Sequence, residues 1–121
     1  MRIEKFEEIQ AWKEARILVK EIYSSFSNCK DFGFKDQIQR AGISIMSNIA
    51  EGFERNTNKE FVNFLSIARG SCAELKSLLY AALDVGYIEE GIFRHMYGQI
   101  SKVNGLVNGF ISYLKSNLKV K

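Results

Sequence analysis

The segment SNIAEGFERNTNKEF, residues 47–61, decides how this chain folds, because one helical pattern stops within it and another starts. Small residues end the first pattern, with Gly52 as the last of them, and Arg55–Thr57 interrupt it. Thr57 and Glu60 have the spacing of a capping box, in which each side chain can satisfy a backbone amide of the other. The segment is therefore predicted to be a corner that brings two helices close together. The alternative is a contact surface formed by Arg40, Asn48, Arg55 and Lys59.

On both sides of this corner, apolar residues recur at intervals of three and four and predict four helices and no strand. The predicted bounds are Glu7–Phe26, Phe34–Phe53, Asn58–Val85 and Glu89–Leu118, and the chain of 121 residues contains no proline to interrupt them. Residues 1–121 are thus predicted to be one all-α domain, an antiparallel up-down-up-down four-helix bundle. The predicted core faces, helix by helix, are Ile9, Trp12, Ala15, Val19, Ile22 and Phe26; Ile38, Gly42, Ile45 and Ile49; Phe61, Leu65, Ala68, Cys72, Leu75, Leu79 and Ala82; and Met96, Ile100, Val103, Val107, Phe110 and Leu114.

Two helices carry more packing surface than one bundle needs. The second has a further apolar stripe (Ile43, Met46, Ala50 and Phe53), and the fourth has a stripe of small residues that includes Gly98, Gly105, Gly109 and Ser112. An interior glycine costs a helix about 1 kcal/mol against alanine, so either another helix approaches closely or the last helix is loosely ordered. Gly98, Gly105, Gly109 and Ser112 are therefore candidates for an oligomer interface.

Catalytic chemistry has little support in the sequence, so an enzyme is not expected. His95 is the only histidine and is predicted to be a structural or surface residue, while Cys29 and Cys72 are expected to be reduced thiols of a cytoplasmic protein. No metal or other cofactor is expected, because a di-metal bundle needs Glu-x-x-His motifs and the chain has none. Neither a signal peptide nor a membrane span is expected, since the longest uncharged run, Val103–Leu114, is too short to cross a bilayer.

Charge is distributed unevenly along the chain. Residues 1–90 hold 12 basic and 14 acidic side chains, whereas residues 91–121 hold five basic side chains and no acid, which gives +3 overall. This asymmetry permits an anionic partner such as RNA or DNA. A solvated basic tail, which also suits the C-terminus of a helix, is an equally good interpretation of the last three lysines.

Five segments give the chain a resemblance to a known family. They are FEEIQAWKEARILVKEIY (6–23), QIQRAGISIMSNIAEGFERNTNKEF (37–61), FLSIARGSCAEL (64–75), LDVGYI (83–88) and LVNGFISYLK (106–115). The chain resembles the bacterial four-helix-bundle proteins encoded in intervening sequences of large-subunit ribosomal RNA genes, some of them named ribosomal proteins. Accessory proteins of diversity-generating retroelements are in the same family. The family usually has proline where this chain has Met46, so the second helix is expected to run on without a kink.

The resemblance implies a homo-oligomer, with a pentamer favoured, and association with RNA or DNA. On this interpretation the protein is a non-catalytic adaptor. The alternative is a purely structural or protein-interaction bundle that serves a protein partner such as a reverse transcriptase. Tyr80, Tyr97 and Tyr113 are the tyrosines considered for base stacking, and each is expected to pack in the core. The candidate nucleic-acid-binding residues are Arg40, Arg55, Lys59, Arg69, Lys102 and Lys115.

Overall fold

Four antiparallel helices form the structure, a computed structural model that describes residues 3–116. A single 3₁₀ turn at Phe6–Glu8 precedes them, and their bounds are α1 Gln10–Ser25, α2 Phe32–Phe53, α3 Asn58–Asp84 and α4 Glu90–Ser116. Each helix packs against the next, and α4 returns to α1, so the bundle has four sides. The α1–α2 side and the α3–α4 side therefore lie on opposite surfaces. The predicted end of the fourth helix at Leu118, and the terminal Lys119 and Lys121, lie outside the described residues.

The start of the first helix differs from the sequence prediction. Ile9 is extended, with φ −75° and ψ 122°, and separates the 3₁₀ turn from α1. Its side chain is only 1% exposed, so the break lets Ile9 enter the core from the end of the bundle. Within α1 the buried residues are Ala11, Ala15, Leu18 and Ile22. Trp12 and Val19, predicted as core residues, are half-buried at the edge facing α2.

The predicted core residues of α2, α3 and α4 are buried except near the end of α4. All seven predicted core residues of α3 are buried, as are Ile38, Gly42, Ile45 and Ile49 of α2. In α4, Ile111 is buried and the predicted Phe110 is half-buried at the flank. The repeat continues from Val107 by four residues instead of three. Phe110 and Ile111 are adjacent and both apolar, so the sequence pattern does not decide which of them is buried. The positions of the neighbouring helices decide it.

The segment 47–61 is a corner, as predicted. A Cβ atom at Gly52 would lie 2.7 Å from Phe64 Cβ and 2.9 Å from Phe61 Cδ1, so only glycine lets α2 and α3 approach this closely. The Thr57 hydroxyl accepts a hydrogen bond from the Glu60 amide at 3.1 Å. The same hydroxyl donates to the Glu60 carboxylate at 3.3 Å, so that carboxylate binds the side chain of the cap. Helix α2 meanwhile continues through Met46 without interruption.

At the opposite end of the bundle, a hydrogen bond joins the two remaining connections. Gly86 ends α3 with φ +83°, and the next residue, Tyr87, donates its hydroxyl to Asp31 at 2.6 Å. Asp31 also caps α2 by accepting from the Phe34 amide at 3.1 Å. The bond to Tyr87, followed by that to Phe34, lowers the pKa of Asp31, and the bond to Asp31 raises the pKa of Tyr87.

We expect Tyr87→Phe to lower the melting temperature slightly at neutral pH, because it removes this bond and keeps the ring contact with Phe34. A lowered carboxyl pKa contributes stability above the ordinary value of 3.8 and loses it as pH falls through the folded value. The difference between wild type and variant should therefore shrink in acid. It should shrink again in alkali, as pH rises through the raised pKa of Tyr87. Thermal denaturation across pH measures both trends, and a constant difference would show that Asp31 is not the partner that matters.

Across residues 3–116, no helix combines the length and the apolar character that crossing a bilayer requires.

Candidate nucleic-acid interface

The six cationic residues selected from the sequence lie on different sides of the bundle. Arg40 on α2 is paired with Asp36 at 2.8 Å, and both side chains are largely exposed. Arg55 is paired with Glu51 at 3.3 Å, as their spacing predicted, and its guanidinium lies 4.6 Å from the centre of the Phe64 ring. These two arginines therefore already have partners on the α2 side, where each exposed ion pair contributes a few tenths of a kcal/mol (about 0.3–0.5).

Of the other four cations, Lys102 and Arg69 lie on different sides of the bundle. Lys102 on α4 reaches Glu14 of α1, with 3.4 Å between Nζ and Oε1, and so belongs to the α1–α4 side. Arg69 of α3 donates to the Asn108 side chain of α4 at 3.1 Å and marks the α3–α4 side. Lys59 is exposed in the first turn of α3, and Lys115 is exposed in the last turn of α4. A single surface made from all six residues is therefore not present in one chain.

The α3–α4 side concentrates positive charge. Steps of three and four along α3 connect Val62, Ser66, Arg69, Ala73, Lys76 and Tyr80, and the same steps along α4 connect Tyr97, Ser101, Asn104, Asn108, Ser112 and Lys115. Over residues 62–80 and 97–115 neither series contains an acid, and together they contain three cations, with Lys59 one step before Val62 and the acid Asp84 one step after Tyr80. Arg94 lies near one end of this surface but is paired with Glu90 at 2.6 Å. We call the two series together the α3–α4 face.

Aromatic rings cluster at the Tyr80 end of the α3–α4 face. The ring centre of Tyr80 lies 4.9 Å from that of Phe93 and 5.9 Å from that of Tyr97. The ammonium group of Lys76 lies 4.7 Å from the centre of the Tyr97 ring, within the range of a cation–π contact. Tyr80 is 51% exposed, and Tyr113, on another side of α4, is 56% exposed. The expectation that these two tyrosines pack in the core is therefore wrong, while Tyr97 is half-buried.

Sequence reasoning missed Lys76 and underrated Tyr80. The signal was available in the steps of three and four from Arg69, which place Lys76 and Tyr80 on one edge of α3. This spacing identifies a binding surface only once α4 is known to pack beside that edge of α3.

Titratable side chains elsewhere form contacts between helices. His95 Nε2 lies 2.9 Å from Glu21 Oε2, and Gln99 donates to the other oxygen of Glu21 at 3.2 Å. Glu21 and His95 border a groove of about 570 Å³ between α1 and α4. Burial raises the pKa of the Cys72 thiol to about 11, so this thiol is protonated and unreactive at neutral pH. In the part of the chain that the structure describes, no three His, Cys, Asp or Glu side chains are grouped so as to hold a metal ion.

The glycine stripe of α4 faces outward. Among residues 3–116, nothing lies within 4 Å of a Cβ atom built at Gly98, Gly105 or Gly109, and Ser112 is exposed. None of the described helices α1 to α3 uses the space that these residues leave. Their role in an oligomer interface stays a prediction.

Similarity to known proteins identifies the family of this chain. The family model described as 23S rRNA-intervening sequence protein matches residues 7–109, most of the chain. The chain belongs to this family. The resemblance to the 23S rRNA-intervening sequence proteins is thereby confirmed. Five of the six candidate cations fall inside the matched range, and Lys115 falls beyond it.

A solved structure supports the same fold. It is the crystal structure of a protein of unknown function from the S23 ribosomal protein family of Bacteroides thetaiotaomicron. It matches this chain with a TM-score of 0.78 and 25% identity, over 84% of this chain and 97% of that one. No curated protein matches this chain.

Proposed function

We propose that this protein is a non-catalytic, oligomeric adaptor that associates with nucleic acid through the α3–α4 face. The observation that carries the proposal is the unopposed charge of that face, where Arg69, Lys76 and Lys115 are the charged members of the two series. Phosphate groups bind such surfaces by displacing counterions, without any need for base contacts. The family description names 23S rRNA, which favours RNA as the polymer.

The charges of the α3–α4 face are spaced along most of the bundle. Arg69 meets Asn108, and Tyr80 meets Tyr97, so residues of α3 and α4 whose numbers sum to about 177 lie at the same level. Lys115 is therefore level with Val62, seven residues before Arg69, while Lys76 lies seven residues after it. Seven residues of α-helix span about 10 Å, so the three cations form a row of about 20 Å. A row of this length can follow several phosphates of one strand.

Assembly is part of the proposal because one chain carries only +3. A pentamer would carry +15 and would repeat the α3–α4 face five times. The surface best suited to hold the copies together is a groove of about 450 Å³ on the opposite side, which we call the α1–α2 groove. Its lining is almost entirely apolar: Phe6, Trp12, Val19, Tyr23, Ile43, Met46, Ser47 and Ala50.

A second copy is the occupant that we propose for the α1–α2 groove. The apolar lining of the groove would be removed from water if a like surface of another copy covered it, and this burial is the main driving force for association. The second apolar stripe of α2 supplies part of the lining through Ile43, Met46 and Ala50.

Nucleic-acid binding is tested by removing two charges from the α3–α4 face. We expect Arg69→Ala/Lys115→Ala to weaken binding to a mixed-sequence RNA, measured by fluorescence anisotropy in a salt titration. The slope of log affinity against log salt should become shallower by about 0.7–0.9 for each phosphate contact that is lost. Both side chains are exposed, so the fold and the assembly should be unaffected.

The matched control removes two exposed charges from another part of the bundle. Lys30→Ala/Arg40→Ala has the same net charge as the test variant, but Arg40 is paired with Asp36 on α2. Equal weakening in both variants would mean that binding follows net charge and not the α3–α4 face. If wild type binds neither RNA nor duplex DNA at low salt, the nucleic-acid function is wrong.

The second candidate function is a protein-interaction bundle. The exposed apolar lining of the α1–α2 groove favours it, because such a lining is typical of a surface that another protein covers. A partner such as a reverse transcriptase would then occupy the groove in place of a second copy. A monomer that binds no nucleic acid but binds such a polypeptide through the groove would support this function over the first.

A further inference from the structure

Tyr80 is the exposed part of an aromatic cluster whose other members, Phe93 and Tyr97, pack against the core. Its neighbours Phe93 and Tyr97 are half-buried and hold its ring from one side, with ring centres at 4.9 and 5.9 Å. As a residue, Tyr80 is 51% exposed. It is therefore positioned by packing and still open to another flat group.

The cations of the α3–α4 face begin beside this ring. Lys76 precedes Tyr80 by one helical turn, and its ammonium group lies against the Tyr97 ring at 4.7 Å. Arg69 follows about 10 Å further along α3. Its guanidinium is hydrogen-bonded to Asn108 and stays exposed. An aromatic platform thus continues directly into a row of positive charge.

From this arrangement we infer that the α3–α4 face binds single-stranded nucleic acid, with a base stacked on Tyr80 and the backbone along Lys76 and Arg69. The inference rests on the proposed nucleic-acid association and specifies its form. Bases within a duplex are already stacked on one another. Only an unpaired base is therefore free to stack on an exposed tyrosine ring. Exposed aromatics beside a basic groove are the means by which proteins bind single strands with little sequence preference.

The test compares single strands with duplexes. A mixed-sequence RNA 12-mer, the same sequence as DNA, and the corresponding duplexes are titrated by fluorescence anisotropy at fixed salt. We expect Tyr80→Ala to weaken single-strand binding about tenfold, as loss of one stacked base should, and to leave duplex binding unchanged. Tyr80→Phe keeps the ring and should bind like wild type. Tyr113→Ala is the matched control, because Tyr113 is equally exposed but lies on another side of α4.

A direct signal of stacking gives a second readout that does not depend on differences in affinity. A 12-mer that contains 2-aminopurine should lose fluorescence when wild-type protein binds it, and Tyr80→Ala should restore that fluorescence. The inference is overturned if wild type binds without this quenching, or if Tyr80→Ala weakens single strands and duplexes equally. Either result would leave the proposed function intact, whereas binding to neither polymer at low salt would overturn both.

Discussion

Gly52→Ala should lower the free energy of unfolding by about 1–3 kcal/mol, the usual effect of overfilling a tightly packed site. The added methyl group would lie 2.7 Å from Phe64 Cβ, an atom fixed to the α3 backbone, so the two helices must move apart. Alanine favours a helix over glycine by about 1 kcal/mol, which acts in the opposite direction. We expect the clash to exceed this gain. Urea denaturation followed by circular dichroism, at one protein concentration, measures the difference.

Gly70→Ala is the control for this prediction. Gly70 lies within α3, and none of the residues that the structure describes comes within 4 Å of a Cβ atom built there. Alanine should therefore raise the free energy of unfolding by up to about 1 kcal/mol. Equal effects at Gly52 and Gly70 would mean that the corner between α2 and α3 is not closely packed.

Ile43→Glu should convert the protein from an oligomer to a monomer. Ile43 lines the α1–α2 groove and is 39% exposed in one chain, so the monomer should fold with glutamate there. At an interface the same carboxylate would be buried without a partner, at a cost of several kcal/mol. Each 1.4 kcal/mol weakens association about tenfold. Light scattering on a sizing column should give a multiple of 13.8 kDa for wild type, with five copies favoured, and 13.8 kDa for the variant.

Ile67→Glu makes the same chemical change outside the groove. Ile67 lies on α3 and is 52% exposed, so this variant should have the same oligomeric mass as wild type in light scattering. A wild-type monomer at tens of micromolar would refute the assembly and favour the protein-interaction function. If both variants dissociate, the interface is not confined to the α1–α2 groove.

The helices and their order could be predicted from the sequence because burial imposes a regular period on each helix. The corner at Gly52 was predictable for the same reason, with the cap at Thr57 adding a second, local signal. The start of α1 was not, since Ile9 satisfies a helical pattern and is buried by an extended backbone instead. The choice between Phe110 and Ile111 depends on where α1 and α3 lie, which no pattern within α4 contains.

The candidate site was harder to predict because charge becomes useful only when helices are placed side by side. Lys102 lies opposite Glu14, and Arg55 lies beside Glu51 and Phe64, so two exposed cations are partly neutralised. Lys76 lay unnoticed among the residues of α3, although it joins Arg69 and Tyr80 into one surface. Pairing across a bundle depends on the register of antiparallel helices, which the lengths of the turns and the core contacts set together.

The opposite placement of the α1–α2 groove and the α3–α4 face has a consequence for avidity. A copy seated in the groove leaves the α3–α4 face uncovered, so every added copy contributes another site to the same particle. Once one site holds a strand, the next meets a tethered ligand at a high effective concentration, which can raise the overall affinity by about 10²–10⁴ without a new contact. Short oligonucleotides that reach one copy should therefore bind weakly, and strands long enough to bridge neighbours should bind far more tightly.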